Sequence, residues 1–212
     1  MKYLLLTSCG LLCLSGAANA QDVVEQASAG VYVGVEGGYE NYDVSAEYDD
    51  GSLAIAADGL SGDGLTGGIF AGYQTRMGEG FMAIEAFGRL SSASMSASFD
   101  DGVDMLSGSI EAKESYGIAA KAGIRVNRSS GIYARVGWVN TRFELSVSDG
   151  VSSYTADQTE DAIEYGGGLE TLVGRNYALR VEYVRADYGS AGLPDEISVD
   201  SNGVRAGFSY RF

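Results

Sequence analysis

The chain has 212 residues, 14 basic and 29 acidic side chains, a formal net charge of −15, one proline and no histidine. An acidic chain lacks the basic footprint of a nucleic-acid-binding protein, and without histidine it lacks the most common general base and metal ligand. A hydrophobic content of 45% and 14 tyrosines argue against disorder. The composition therefore predicts a folded protein of one or two domains that binds no nucleic acid and performs no histidine-dependent catalysis.

The first twenty residues have the pattern of a signal peptide. Lys2 supplies a positive charge, Tyr3–Leu14 form an apolar stretch, and Ala18 and Ala20 form a small-x-small cleavage site. The stretch is too short for a transmembrane helix, which needs about 20 apolar residues. We therefore expect export, with a mature chain that begins at Gln21.

Both cysteines of the chain, Cys9 and Cys13, lie inside this signal peptide. The mature chain is therefore predicted to contain no disulfide and no cysteine-ligated metal. Residues 21–29 are expected to form a short periplasmic segment. No linker or change in composition divides residues 30–212, which we interpret as one domain.

The mature chain alternates apolar residues with polar or small residues at a period of two, which is typical of β-strands. In the first such segment Val31, Val33 and Val35 share one face, while Gly34 and Glu36 share the other. Segments of 9–12 residues are long enough for tilted strands to cross a bilayer. Eight segments have this pattern: Val31–Tyr39, Leu65–Arg76, Phe81–Leu90, Tyr116–Val126, Ile132–Phe143, Ile163–Val173, Tyr177–Tyr188 and Gly203–Phe212.

The connections between these segments alternate between short and long. Short turns are predicted at residues 77–80, 127–131 and 174–176, and long polar loops near residues 43–64, 91–112, 144–161 and 189–202. Short turns at one end and long loops at the other are typical of an outer-membrane barrel. The polar faces consist of glycine with a few isolated charges, which favours a barrel with an apolar exterior over a water-soluble barrel.

Several motifs in this order carry a family resemblance. Gly30–Gly34 (GVYVG) begins the first strand, Gly67–Tyr73 (GGIFAGY) precedes a short turn, Leu179–Tyr183 (LRVEY) lies in the seventh strand, and Val204–Phe212 (VRAGFSYRF) closes the sequence. The chain resembles the small eight-stranded outer-membrane β-barrels of Gram-negative bacteria, namely the OmpA-type and opacity-like porin-family domain. The resemblance covers essentially the whole mature chain.

This resemblance implies an all-β fold, a transmembrane eight-stranded antiparallel up-and-down β-barrel with long acidic extracellular loops. It implies localisation in the outer membrane of a Gram-negative bacterium, contact with lipid and lipopolysaccharide, and a monomeric state. In the last strand, Phe208, Tyr210 and Phe212 resemble the signal that the outer-membrane assembly machinery reads. The enzymes known among barrels of this size rely on a histidine, so we predict no enzymatic activity.

Charged residues on the inner faces are the main candidate site. An eight-stranded barrel is just wide enough for side chains to fill it, and buried charges have to be paired. We therefore expect a structural network that plugs the lumen, with a gated ion path or proton route as the alternative. Its predicted members are Glu36, Glu85, Lys121, Arg135, Glu170, Arg180, Glu182 and Arg205.

The predicted long loops carry 18 of the acidic residues and no Lys or Arg, and Asp187 at the end of the seventh strand is a nineteenth acid. A solvated, soluble surface is the favoured interpretation, with basic ligands or divalent cations as alternatives. Asp49–Gly51 and Asp100–Gly102 weakly resemble cation loops but lack the full calcium-loop spacing. No cofactor, metal or catalytic residue is therefore assigned.

Aromatic residues are expected in two belts at the membrane interfaces. The predicted short-turn belt is Tyr32, Tyr73, Tyr133, Tyr177, Tyr210 and Phe212. The predicted loop-end belt is Tyr39, Tyr42, Tyr116, Trp138, Phe143, Tyr165 and Tyr183.

The resulting functional prediction is an outer-membrane barrel with a structural and surface role, in envelope integrity and in contact through its acidic loops. One alternative is a small, low-conductance porin. The other is an adhesin or ligand-binding surface protein.

Overall fold

The fold consists of antiparallel β-strands, and the computed structural model describes residues 29–49, 54–100, 105–148, 153–188 and 197–212. The predicted signal peptide, its cleavage site at Ala18 and Ala20, and residues 21–28 lie outside this described part. No helix in the described ranges is long and apolar enough to span a bilayer. The strands are β1 (Gly30–Asp49), β2 (Ala54–Met77), β3 (Gly80–Ser91), β4 (Ser94–Asp100), β5 (Met105–Arg125), β6 (Ser130–Ser148), β7 (Ser153–Val173), β8 (Tyr177–Asp187) and β9 (Ile197–Arg211).

The strands close into a ring of eight positions, because β1 pairs with both β2 and β9. β3 and β4 occupy one position, with a break at Ser92 and Ala93, and both pair with β5. The backbone N–H of Phe212 donates to the carbonyl of Val31 at 3.0 Å and joins the last residue to the start of β1. Closure pairs the backbone groups within the ring, as a hydrocarbon environment requires. The predicted eight-stranded antiparallel barrel is confirmed.

The strands continue well into the segments predicted as long loops. β1 and β2 stay paired as far as Asp49 and Ala54, and β6 and β7 as far as Ser148 and Ser153. The prediction of loops over most of residues 43–64, 91–112 and 144–161 is therefore wrong. Backbone hydrogen bonds in a hairpin do not require alternating apolar residues. Polar segments can therefore continue a strand, and a prediction based on alternation does not detect this continuation.

The three short turns lie at one end of the barrel, which we call the short-turn end, and the projecting hairpins lie at the opposite, outer end. Gly78 and Gly174 adopt φ values of 63° and 73° in two of these turns. Glycine is favoured there because side chains with a Cβ rarely adopt positive φ. The predicted short turns are confirmed. The connections at residues 50–53, 101–104, 149–152 and 189–196 lie outside the described residues.

The exterior of the barrel is apolar. Ile69 is 68% exposed, Leu90 69% and Ile84 61%. Such a surface is costly in water but suits lipid contact. The apolar face predicted by the alternation is therefore the outer face.

The outward aromatic residues form two groups. Those toward the short-turn end are Tyr73, Tyr177, Tyr210 and Phe212, and those toward the outer end are Tyr39, Tyr116, Trp138, Tyr165 and Tyr183. The placement of Tyr32, Tyr133, Tyr42 and Phe143 in these belts is wrong, since all four are buried inside the barrel. Their positions follow the period of two, which puts them on the inner face.

Inward-facing glycines make room for aromatic rings. A Cβ added at Gly34 would lie 2.3 Å from the ring of Phe70 and 2.5 Å from the carbonyl oxygen of Phe208. A Cβ at Gly72 would lie 2.5 Å from the hydroxyl of Tyr32. The glycine-rich inner wall thus lets large rings pack directly against the backbone.

We expect the substitution Gly34→Ala to lower the free energy of unfolding by about 1–3 kcal/mol, because the added methyl must displace the Phe70 ring or a strand. Gly88→Ala is the matched control, since a Cβ there meets no atom within 4 Å. Urea titration in detergent micelles, followed by the fluorescence of the single tryptophan, measures both. Equal effects at the two positions would contradict the packing argument.

Candidate functional site

The centre of the lumen is filled by ten charged side chains, which we call the central network. They project from the inner faces of seven strands, and each is at most 7% exposed. Five are acids and five are bases, so the network carries no net charge. Its members are Glu36, Glu40, Glu85, Arg89, Lys121, Arg135, Glu164, Arg180, Glu182 and Arg205.

Glu164 on β7 links three arginines. Arg89 donates to its two carboxylate oxygens at 2.9 and 3.3 Å, and Arg205 donates to Oε2 at 2.8 Å. The Nη2 of Arg135 lies 3.1 Å from Oε1. A fork of this kind pairs charges with defined geometry, and the four side chains tie together β3, β6, β7 and β9.

Glu85 on β3 organises a second group. Lys121 donates to its Oε2 at 2.8 Å and Arg180 donates to the same oxygen at 2.6 Å. Glu36 joins the two groups, because it accepts from Arg180 at 2.5 Å and from Arg89 at 2.6 Å. The network is therefore continuous across the lumen.

Glu182 on β8 contacts Lys121 of the second group and two side chains of β6, Arg135 and Tyr133. The Nη1 of Arg135 is 3.1 Å from its Oε2 and the Nζ of Lys121 is 3.3 Å from its Oε1. The hydroxyl of Tyr133 donates to Oε1 at 2.6 Å. Each acid of this group thus has several donors, as a buried carboxylate requires.

Aromatic faces cover two of the guanidinium groups. Arg180 lies 3.5 Å from the centre of the Phe70 ring, and Arg89 lies 3.7 Å from the centre of the Phe87 ring. Such contacts are cation–π interactions, which strengthen when water is excluded. The rings fill the space between the charged groups and the barrel wall.

Aromatic side chains also close the lumen above the network. Phe143 packs against Tyr188 with ring centres 5.5 Å apart and against Tyr42 at 6.0 Å. The hydroxyl of Tyr42 donates to Glu40 at 3.3 Å, and the hydroxyls of Tyr188 and Thr141 are 3.0 Å apart. We call Tyr42, Phe143 and Tyr188 the outer aromatic layer.

A second aromatic layer lies toward the short-turn end. The rings of Tyr32 and Phe70 are 6.2 Å apart, as are those of Phe81 and Tyr133. Tyr32 also donates to Glu85 at 3.1 Å. The charged centre is thus enclosed by rings on both sides.

The structure brings seven of the eight predicted inner charges into the central network. The eighth, Glu170, lies nearer the short-turn end and pairs with Arg211. Arg89 and Glu164 were not among the predicted members, although both lie on the polar face of their strands. Glu40 was missed because the first strand was predicted to end at Tyr39, and extending the alternation of Glu36 and Gly38 by one step would have included it.

Three aspartates lie side by side on the outward face of the barrel, farther toward the outer end than the outward-facing aromatic residues Tyr39 and Tyr183. Asp200 pairs in register with Asp43 on β1 and with Asp187 on β8. Partial burial and a hydrogen bond with Asp187 raise the pKa of Asp200, against the opposing charge of Arg185. Among the described residues, no group of three or more acidic side chains is arranged to hold a metal ion. The predicted cation loops at 49–51 and 100–102 lie largely outside the described residues.

The three residues of the predicted assembly signal lie on the outward face of the last strand and beyond it. The ring of Tyr177 stacks on Phe208 with centres 5.4 Å apart, and Tyr210 packs against Phe212 at 5.0 Å. They form one continuous aromatic strip beside the point where β1 and β9 close the ring.

Comparison with known proteins gives a consistent assignment. The model of the family described as outer membrane protein beta-barrel domain matches residues 8–212. The 31 kDa outer-membrane immunogenic proteins of Brucella melitensis and Brucella suis are each 25% identical over 241 residues, covering the whole of both chains.

Two solved structures are similar to this chain at low identity. Ail, the attachment invasion locus protein of Yersinia pestis, is 17% identical, with a TM-score of 0.44 and coverage of 86% of this chain and 99% of Ail. Neisserial surface protein A is 20% identical, with a TM-score of 0.44 and coverage of 86% and 97%.

Proposed function

Because the chain belongs to the outer-membrane protein β-barrel family, we propose that it acts in the outer membrane as a closed, non-conducting barrel with a structural role. The chain is an outer-membrane protein, and its projecting hairpins would form its contact surface with the outside.

The filled lumen is the observation that carries the structural role. An ion path needs a continuous wet route, whereas here the central network is neutral and its carboxylates are paired with bases. Aromatic layers lie above and below it. Permeation would require breaking several buried ion pairs at once, each costly to separate. These features weigh against the low-conductance porin.

The refolded protein in planar lipid bilayers is expected to show no steady open-channel current. Insertion is verified in parallel by the different gel mobilities of heated and unheated samples, because a stable barrel resists unfolding by detergent. A steady conductance that persists when the projecting hairpins are shortened would refute the closed-lumen proposal. Identical mobilities would count against a stable barrel.

The strand extensions support the surface role. β1 continues for ten residues beyond Tyr39, one of the outward-facing aromatic residues toward the outer end. β2, β6 and β7 also extend toward the outer end. At about 3.3 Å per residue this is roughly 30 Å of paired strand. An adhesin would bind through such extensions, and exchanging them while the barrel still folds would then abolish binding to cells.

We infer that the chain is not an enzyme. The carboxylates of the central network could be considered an acid–base pair, but Glu85 and Glu182 are each held by several donors. A general acid or base must instead reach a substrate proton. The enclosed lumen leaves little room for a substrate.

We further propose three kinds of contact. The barrel would contact lipopolysaccharide, and the assembly machinery would bind it through Phe208, Tyr210 and Phe212. The acidic loops would bind basic or cationic ligands.

A further inference from the structure

The inner wall at the short-turn end contains a recess that the closed-barrel role does not use. It is separated from the central network by the aromatic layer of Phe81 and Tyr133. Its volume is about 20 Å³, enough for a very small group. The lining includes Arg76, Arg125, Arg128, Arg211, Glu170 and Ser130.

This end of the barrel has an excess of positive charge. Among the described residues, the turns and the strand ends around them carry Arg76, Arg125, Arg128, Arg175 and Arg211, against Glu79, Glu170 and the C-terminal carboxylate of Phe212. The central network is neutral, so its charges do not compensate this excess. The recess is therefore the most basic part of the lumen.

The arginines are held at defined positions. Arg211 pairs with Glu170 and donates to the Oε1 of Gln74 at 3.2 Å, and its guanidinium lies 5.6 Å from the centre of the Tyr32 ring. Arg125 donates to the carbonyl of Gly78 at 3.3 Å. The Nε of Arg125 is buried and has no hydrogen-bond partner within the described structure. A buried donor without a partner calls for an explanation, and an acceptor that the chain itself does not supply is one.

We propose that this recess binds a phosphate-type oxyanion that enters at the short-turn end, which faces the periplasm in barrels of this kind. Guanidinium groups bind phosphate through paired, charge-assisted hydrogen bonds, and the Ser130 hydroxyl adds a polar group to the lining. The small volume admits one phosphate group of a larger ester and excludes a large apolar ligand. The phosphate can belong to a soluble ester or to the headgroup of an inner-leaflet phospholipid.

Calorimetry of the refolded barrel in zwitterionic detergent, with pyrophosphate as the probe, tests the site. We expect saturable binding that weakens as salt is added, because salt screens exposed charges. Arg128→Ala should weaken it about tenfold, the effect of one charge-assisted hydrogen bond. Arg142→Ala, at the outer end, is the matched control and should leave binding unchanged.

Arg128 lies in an exposed turn, so its removal leaves the barrel wall intact, and Arg125→Ala provides a second test if its heated and unheated mobilities still differ. Absence of saturable binding, or equal weakening by Arg142→Ala, would overturn the proposal. An unchanged affinity in Arg128→Ala would overturn it too.

Vesicles separate the two sources of phosphate. If the barrel binds pyrophosphate equally in phosphatidylcholine vesicles and in vesicles containing phosphatidylglycerol, a soluble ligand is supported. If phosphatidylglycerol displaces pyrophosphate and Arg128→Ala abolishes that displacement, a lipid headgroup is supported. Displacement that persists in Arg128→Ala would show surface competition and argue against occupancy of the recess.

Discussion

Replacing Glu164 with alanine is expected to lower the free energy of unfolding by about 4 kcal/mol, because removal of one partner from a buried ion pair typically costs 3–5 kcal/mol. The substitution leaves Arg89, Arg135 and Arg205 without their shared carboxylate. Urea titration of the barrel inserted in phospholipid vesicles measures the loss.

Two controls isolate the charge from the shape. Glu164→Gln keeps the volume and some hydrogen bonds, so a smaller loss than that of alanine is expected. Glu114→Ala removes an exposed partner of Arg142, a pair in which both side chains are over 40% exposed, and it should change stability by less than about 1 kcal/mol. Equal losses for Glu164→Ala and Glu114→Ala would show that the central network contributes no special stability.

Replacing Tyr188 with alanine is expected to cost about 3–5 kcal/mol, the range for removing a large buried aromatic side chain. Tyr188 contacts both other members of the outer aromatic layer, Tyr42 and Phe143. Its removal would leave a cavity that the rigid barrel wall cannot close. The same urea titration measures this loss.

Tyr188→Phe separates ring packing from the hydroxyl group. It removes the hydroxyl with its hydrogen bonds to Thr141 and Tyr42 and keeps the ring, so a loss of about 1 kcal/mol is expected. Tyr154→Ala is the surface control, because Tyr154 is 73% exposed. A loss for Tyr188→Phe as large as that for alanine would mean that the hydroxyl, rather than the ring, holds the layer together.

The membrane part of the fold could be predicted because each strand has one face in contact with lipid. In Val31–Val35 the outward valines and inward small or polar residues give a period of two that has no helical equivalent. The outer extensions lack this signal. Residues around Asp49 and Ala54 have no lipid-facing requirement, and their strands depend on backbone pairing that leaves little trace in the sequence.

The candidate site could be predicted only in part. The inner face of each strand can be identified from the alternation, and it includes Arg89 and Glu164. The pairing of these charges depends on the stagger of the eight strands around the ring. This stagger cannot be read from the sequence of any single strand. The same limit explains the inward rings of Tyr32 and Tyr133. Their strand positions point inward, but the general preference of tyrosine for interfaces suggested the opposite.

The central network has a consequence for the order in which the barrel forms. Glu36 and Arg180 are 144 residues apart in sequence, and Glu40 and Arg205 are 165 apart. The two members of each pair meet only when β9, with β8 beside it, pairs with β1; we call this β1–β9 junction the seam. An open sheet in lipid would leave these charges uncompensated. Partly assembled forms are therefore less stable until the seam closes. Charge pairing across the seam therefore makes the final step of folding cooperative.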